Sequence, residues 1–211
     1  MTETLVAWGI EPVACTRFCE RPELTHVGGT KDPDVAAIVA LAPDLVLVDA
    51  EENRREDHDA MLDAGLAVHA LRIRSIEDLD AQLPAVAELV GARWTPLDVA
   101  GEAARRRAVI PIWKRPWMFL GTPTYGSSLL AAIGVHNTLA GSGAYPEMDL
   151  DDAGATHPDL VIAPDEPYPF GERHRDLLAR VATPVFVDGR DLLWWGARTR
   201  GALERLRDVV G

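Results

Sequence analysis

Short apolar runs alternate with amphipathic stretches along the chain. Asp34 to Leu41 carries a helical pattern and is followed by Leu45-Val46-Leu47-Val48, a compact apolar block. Blocks this short, rich in branched residues and bounded by Pro, Gly or Asp, read as buried strands. On this basis strands are predicted at Val13 to Cys19, Leu45 to Val48, Ala67 to Leu71, Trp117 to Leu120, Leu160 to Ala163 and Val185 to Val187. Helices are predicted at the opening Thr2 to Trp8, through Leu41, over Glu56 to Ala64, Ile76 to Val90, Trp94 to Val109, Ser127 to Ile133, Glu172 to Val181 and Gly201 to Val210. The Ile76 helix is the most regular, with Ile76, Leu79, Leu83, Val86 and Val90 at spacings of three and four. Strands alternating with helices imply parallel sheets with right-handed crossovers.

The pattern contains a repeat. Pro-Asp-Leu-Val occurs at Pro43–Val46 and again at Pro158–Val161, 115 positions on (158 − 43). Each copy follows an amphipathic stretch, Asp34 to Leu41 or Asp149 to Thr156, and leads into an apolar run. Each run ends in an acidic loop, Asp49-Ala50-Glu51-Glu52 or Pro164-Asp165-Glu166. A helix feeding a buried strand, twice, implies two similar α/β halves with a ligand cleft between them. The boundaries expected are an N-terminal lobe at 1–92, a linking helix at 93–113 and a C-terminal lobe at 114–211. The linking helix, started by Thr95-Pro96 and favoured by Ala100, Ala103, Ala104 and Ala108, would span roughly 24 Å and restrain lobe closure.

Composition narrows the partners. The chain has 211 residues, 47% hydrophobic and 26% charged, with a formal net charge of −12. That charge repels phosphate backbones, so nucleic acid is excluded as a partner. No run approaches the ~20 apolar residues that span a bilayer, which excludes membrane insertion. Met1-Thr2-Glu3-Thr4 shows no basic or apolar leader, so the chain as given is expected in the cytoplasm, or in the periplasm or at the cell surface if its start is truncated. The two cysteines, Cys15 and Cys19, lie on the predicted first strand, where positions four apart sit about 13 Å apart, too far for a bridge unless the segment bends.

Enzymatic motifs are absent. Val27-Gly28-Gly29-Thr30 matches neither a dinucleotide nor a P-loop pattern, and there is no G-x-S-x-G elbow or H-E-x-x-H site. His26, His58, His69, His136, His157 and His174 are scattered without metal-ligand spacing. Aromatic residues are better placed. Tyr125 follows a strand at a turn, where open α/β sheets gather ligands. Trp194 and Trp195 are adjacent on an extended segment, so one can enter the core while the other meets a ligand. Tyr168 and Phe170 sit in the loop after the second repeated strand. Flat faces suit flat guests such as macrocycles or aryl chelates. Glu51 or Glu52 matches Glu166 under the repeat, a carboxylate on each half for basic residues of a twofold partner.

Several of these stretches together resemble a known family. They are Gly28-Gly29-Thr30-Lys31-Asp32-Pro33-Asp34 with Ile38 to Val48, Glu51-Glu52-Asn53-Arg54 with Glu56-Asp57, and the turn residues from Gly121 to Ser127. Glu166-Pro167-Tyr168-Pro169-Phe170 and Val187-Asp188-Gly189 with Trp194-Trp195-Gly196 complete the set. Over nearly the whole chain this is similar to the class III periplasmic-binding-protein-like family, the helical-backbone metal receptors that serve ABC importers for cobalamin, haem and ferric siderophores. Thr16-Arg17-Phe18-Cys19 before a proline resembles a subgroup of which many members carry no export signal.

The resemblance implies two parallel-sheet lobes on one long backbone helix, a chelate or corrinoid guest, no intrinsic cofactor and no enzymatic activity. It implies an ABC permease dimer as partner, docked by Glu51, Glu52 and Glu166, and a pocket drawing on Cys19, Tyr125, Trp194 and Trp195. Cys19 is its candidate soft-metal ligand. The alternatives are a cytoplasmic chelate carrier or sensor without a permease and, further off, a small-molecule enzyme. One departure stands out: such proteins open with a strand before the Thr-Glu-x-Leu helix, and here that strand is missing.

Overall fold

The computed structural model describes residues 1–210. The chain divides into two compact units, Met1–Ile73 with Gln82–Trp94, and Arg74–Ala81 with the chain from Thr95 onward. Both are α/β, with parallel strands carrying the sheets.

The first unit runs α1 (Thr2–Ala7), β1 (Ala14–Cys15), β2 (Thr25–His26), α2 (Val35–Leu41), β3 (Val46–Asp49), α3 (Arg55–Asp63) and β4 (Val68–Leu71). Asp34 caps α2 by accepting a hydrogen bond from the Ala37 amide at 2.9 Å, satisfying one of the amides that a helix start leaves unpaired. The apolar stripe of α2 then places Ile38 against Val27, Val48 and Met61, the core of this unit. β1 pairs with β2 and β3 with β4, both in parallel. The next helix, α4 (Ile76–Leu89), contributes residues 76–81 to the second unit and its remainder to the first.

The second unit continues with β5 (Arg106–Val109), β6 (Pro111–Lys114), β7 (Trp117–Phe119), α5 (Tyr125–Ala132), β8 (Val135–Asn137), α6 (Leu150–Gly154) and β9 (Leu160–Pro164). It closes with α7 (Arg175–Leu178), β10 (Thr183–Val187), α8 (Gly189–Leu193) and α9 (Thr199–Val210). β10, β9, β5 and β8 form one sheet in that order, every pairing parallel. β9 is buried along its whole length, as a parallel strand covered on both faces must be. β6 and β7 form a separate antiparallel hairpin.

The repeat read from four residues extends through the backbone. With the offset of 115, β3 falls on β9 and β4 on β10. Ala42 and His157, equivalent positions just before each Pro-Asp-Leu-Val, both hold a left-handed backbone, with φ of 46° and 54°. That conformation costs a residue with a Cβ about 1 kcal/mol or more. Two such residues at one offset show that the helix-to-strand turn itself demands it. Gly28 and Gly143, also equivalent, have φ of 87° and 93°. The halves differ at one strand. Among the described residues the first unit has no counterpart of β5, and its four strands remain two separate pairs where the second unit has a continuous sheet.

Several expectations are corrected. No helix forms over 94–109: residues 91–105 are irregular and 106–109 are β5. The alanines favour helix, but Pro96 disfavours helical geometry at Thr95, and Ala108 and Val109 are fully buried in the sheet between β8 and β9. Packing overrides propensity here. The chain's longest helix is α4, where Ile76, Leu79, Leu83 and Val86 are buried as their spacing predicts. The strand expected from Val13 to Cys19 holds only Ala14–Cys15; the chain then turns, the Cys19 amide donating to the Thr16 carbonyl at 3.1 Å.

Candidate functional site

In parallel α/β sheets, side chains that meet ligands gather beyond the carboxyl ends of the strands. In the second unit those ends are the loop after β9 and the start of α8 after β10. The two are tied together. Asp165 Oδ1 accepts from the Gly189 amide at 2.8 Å. Gly189 lies so close to Glu166 that a Cβ there would stand 2.9 Å from its amide nitrogen and 3.0 Å from its carbonyl oxygen. Asp188 caps α8 through the Arg190 amide at 2.9 Å and also holds the Arg190 guanidinium.

Glu166 is half-buried in this corner, with the Trp194 indole, which has only a donor to give, acting on its carboxylate. Burial raises the Glu166 carboxyl above its ordinary value; the Trp194 indole works against that rise, and the neighbouring Asp165 and Asp188 add to it. Trp194 ends α8 in an extended conformation, and the Arg198 guanidinium sits 5.7 Å from its ring centroid. Arg198 Nη2 in turn donates to Asp191 Oδ1 at 2.9 Å, and Arg205 grips both oxygens of Asp191 at 2.7 Å. Trp194, Arg198, Asp191 and Arg205 therefore form one continuous chain. Asp191, its centre, was not flagged by the sequence; the signal was an acidic residue at the head of an apolar run with arginines seven and fourteen residues on.

Tyr125 occupies a different setting from the turn expected for it. It is the first residue of α5, buried, with its hydroxyl 2.9 Å from Thr199 Oγ1, and burial pushes its phenol well above the ordinary value. Thr199 also accepts from the Gly196 amide at 3.1 Å, so Tyr125 braces the turn that follows the tryptophans. Trp195 is half-buried. Phe170 is buried, and Tyr168 packs on it at 4.7 Å between centroids, so these two rings belong to the core of the unit.

In the first unit the corresponding edge follows β3. Glu51 and Glu52 are exposed. Asp49 Oδ1 accepts from the Glu51 amide at 2.8 Å, while Lys31 Nζ donates to the Glu51 carbonyl at 2.9 Å and lies 3.6 Å from Glu52 Oε2. The strict counterpart of Glu166 is Glu51 (166 − 115). At the end of β1, Cys19 is half-buried beside Thr2 and Thr16. Next to it Phe18 is 64% exposed, with the Arg17 guanidinium 5.1 Å from its ring centroid and bound to Asp32 at 2.8 Å. Phe18 is an aromatic candidate that the sequence reading passed over, since it stood inside an assumed strand. Among the described residues no three His, Cys, Asp or Glu side chains gather as metal ligands, and no helix is long and apolar enough to cross a membrane.

No family model matches the sequence, and no curated protein matches it. Solved structures do. The periplasmic vitamin B12 binding protein BtuF of Vibrio cholerae superposes with a TM-score of 0.81 at 16% identity, over 99% of this chain and 92% of that one. The periplasmic haem binding protein HutB of the same organism gives 0.81 at 16%, over 99% and 95%. The periplasmic haem-binding protein BhuT, solved with two haems, gives 0.79 at 22%, over 100% and 96%. The chain therefore has, end to end, the two-lobed α/β fold of periplasmic binding proteins for vitamin B12 and haem.

Proposed function

We propose that this chain is the substrate-binding protein of an ABC-type importer for a metal chelate or corrinoid: cobalamin, haem or a ferric siderophore. The observation that carries the reading is the fold shared over the full chain with proteins that bind vitamin B12 and haem. The residues are compatible with it. Phe18, Trp194 and Trp195 offer aromatic surface at the carboxyl ends of strands, where a flat guest can stack. Cys19 is the soft ligand in the same class of position. Glu51 and Glu166 occupy one position of a duplicated backbone, as recognition of a pseudo-symmetric permease would require, with Glu52 beside the first. In this reading Lys31 steadies the Glu51 loop.

The test is a tryptophan-fluorescence titration of the purified chain with cyanocobalamin, haemin and a ferric siderophore in turn. Saturable quenching by one of them is expected, reduced in Trp194→Phe or Trp195→Phe. No response to any of the three from a chain whose circular dichroism shows it folded removes the reading. Glu51→Ala and Glu166→Ala should leave chelate affinity unchanged and lower the stimulated ATPase activity of the reconstituted importer. Lost affinity instead would place these carboxylates against the guest.

A further inference from the structure

We propose that Arg17, held by Asp32 over Gly29 beside the exposed Phe18 ring, reads the rim of the guest, and that this site takes a planar chelate rimmed by neutral amides in preference to one rimmed by carboxylates. The proposal rests on the chelate-binding reading and narrows it. Phe18 lies just past the carboxyl end of β1. It is 64% exposed, so it keeps ring surface open to a guest while the Arg17 guanidinium sits 5.1 Å from its centroid. A guanidinium beside an aromatic ring can donate to the edge of whatever stacks on that ring.

A glycine makes the seat. A Cβ on Gly29 would stand 2.6 Å from Asp32 Oδ1, 3.0 Å from Arg17 Nη2 and 3.0 Å from Phe18 Cε2, so the tips of all three side chains converge on its bare Cα. Gly29 does not hold a left-handed backbone; room, not φ, is what glycine supplies here. The backbone beneath is fixed as well, the Arg17 amide donating to the Gly28 carbonyl at 2.8 Å and the Gly29 amide to the Asp32 carbonyl at 3.3 Å. Arg17 Nη2 donates to both oxygens of Asp32 at 2.8 Å, which engages a single nitrogen of the guanidinium. Among the described residues no acceptor engages Nε or Nη1, and the side chain is 47% exposed. Donors of a fixed guanidinium are therefore left for a guest, with little ordering still to be done on binding.

Charge decides what those donors accept. The Arg17 charge is already balanced by Asp32, and the cations next along the chain are paired too, Arg21 with Glu23 and Lys31 with Glu52. A carboxylate brought to Arg17 would meet Asp32 across the guanidinium. Like charges set together cost affinity, and the net charge of −12 adds to the repulsion. A carboxamide oxygen accepts the same N–H groups and brings no charge.

The full chain is titrated in a calorimeter with dicyanocobinamide, whose corrin rim carries amides, and with dicyanocobyrinic acid, the same ring rimmed by carboxylates. The amide form should bind about tenfold tighter at low salt, with the gap narrowing as salt is added. Arg17→Gln should weaken the amide form about tenfold. Asp32→Asn leaves the Arg17 charge unbalanced, so it should move the ratio of affinities about tenfold toward the carboxylate form, a change that a merely structural role would not produce. Gly29→Ala meets only mobile side-chain ends, so its melting temperature should hold while affinity for the amide form falls about fivefold. Equal affinities for the two corrinoids, or a ratio unmoved in Asp32→Asn, would overturn the proposal; the wild-type ratio decides the matter even if a variant folds poorly. Haemin and a ferric siderophore are titrated alongside. Binding of either without any corrinoid overturns this proposal and leaves the importer reading standing, whereas no binding by any of the four removes both.

Discussion

Replacing Asp191 with Ala should destabilise the second unit by about 3 kcal/mol. Its side chain is 6% exposed and is gripped by two arginines. Arg205 is 56% exposed, so on losing Asp191 it turns to water at little cost. Arg198 is 18% exposed, lies over Trp194 and loses the carboxylate it is bound to. Breaking a buried pair from one side costs about 3–5 kcal/mol, and the exposure of Arg205 selects the low end. Out of a total of roughly 5–15 kcal/mol for a domain, that is a large share. Urea unfolding followed by tryptophan fluorescence and far-ultraviolet circular dichroism measures it. Asp191→Ala combined with Arg198→Met should recover most of the loss, since both members of the poorly exposed pair are then neutral. The pH dependence follows from the same contacts. Arg205 first, then Arg198, hold the Asp191 carboxyl below its ordinary value against the opposing effect of burial. A depressed folded value means that the stabilisation is present above the unfolded value near pH 4 and is lost as pH falls through the folded one. Asp191→Asn should lack that acid limb. A loss below about 1 kcal/mol for Asp191→Ala, the level of an ordinary hydrogen bond, would refute the claim that breaking this buried pair is costly.

Three further substitutions probe the same corner. Glu166 has the opposite sign: its folded value is raised, chiefly by burial, so its charge opposes folding once pH exceeds the unfolded value near 4.3, and stability is regained as pH falls. Glu166→Gln keeps an oxygen for the Trp194 indole, so its melting temperature should exceed that of the wild type at pH 7, with the gap closing by pH 4; an equal or lower value at pH 7 speaks against a strained carboxylate. Gly189→Ala puts a methyl group against the Glu166 backbone and should cost about 1–3 kcal/mol while shifting Trp194 emission, whereas an unchanged melting curve would show that the two loops part freely. Tyr125→Phe removes one buried hydrogen bond and leaves Thr199 paired with the Gly196 amide, so about 1 kcal/mol of stability should be lost with chelate affinity unaffected. A large loss of affinity with no loss of stability would put Tyr125 against the guest.

The sequence made the repeated modules legible because their signals are local. Asp34 announces a cap, Pro-Asp-Leu-Val marks a turn into an apolar block, and the stripe from Ile76 to Val86 is buried where its period places it. The stretch 94–109 misled for an equally physical reason. Its alanines report what an isolated segment prefers, while the strand at 106–109 is decided by a slot between β8 and β9 that sequence-local reasoning does not see. The same limit applies to the site. Glu166 could be picked out by its repeat position, but its indole partner lies 28 residues on (194 − 166) and meets it only because β9 and β10 are neighbours in register. The strand expected through Cys19 stops at Cys15, because a hydrogen bond from the Cys19 amide to the Thr16 carbonyl turns the chain.

The duplication also separates what the backbone imposes from what each site has adopted. Glu51 and Glu166 occupy one position in two copies of the same strand-to-loop turn, each copy preceded by a left-handed residue before Pro-Asp-Leu-Val. Their surroundings share almost nothing. Glu51 is exposed on a loop braced by Asp49 and Lys31, whereas Glu166 is half-buried under an indole and beside two further carboxylates. Were a carboxylate kept here for stability, the second site would be a poor place for it, since burial and its acidic neighbours oppose its charge. A glutamate that its surroundings do not favour, at the position where the other half also carries one, is what the proposed docking role would require. If that proposal holds, neutralising Glu166 should strengthen the fold while weakening the permease-stimulated activity.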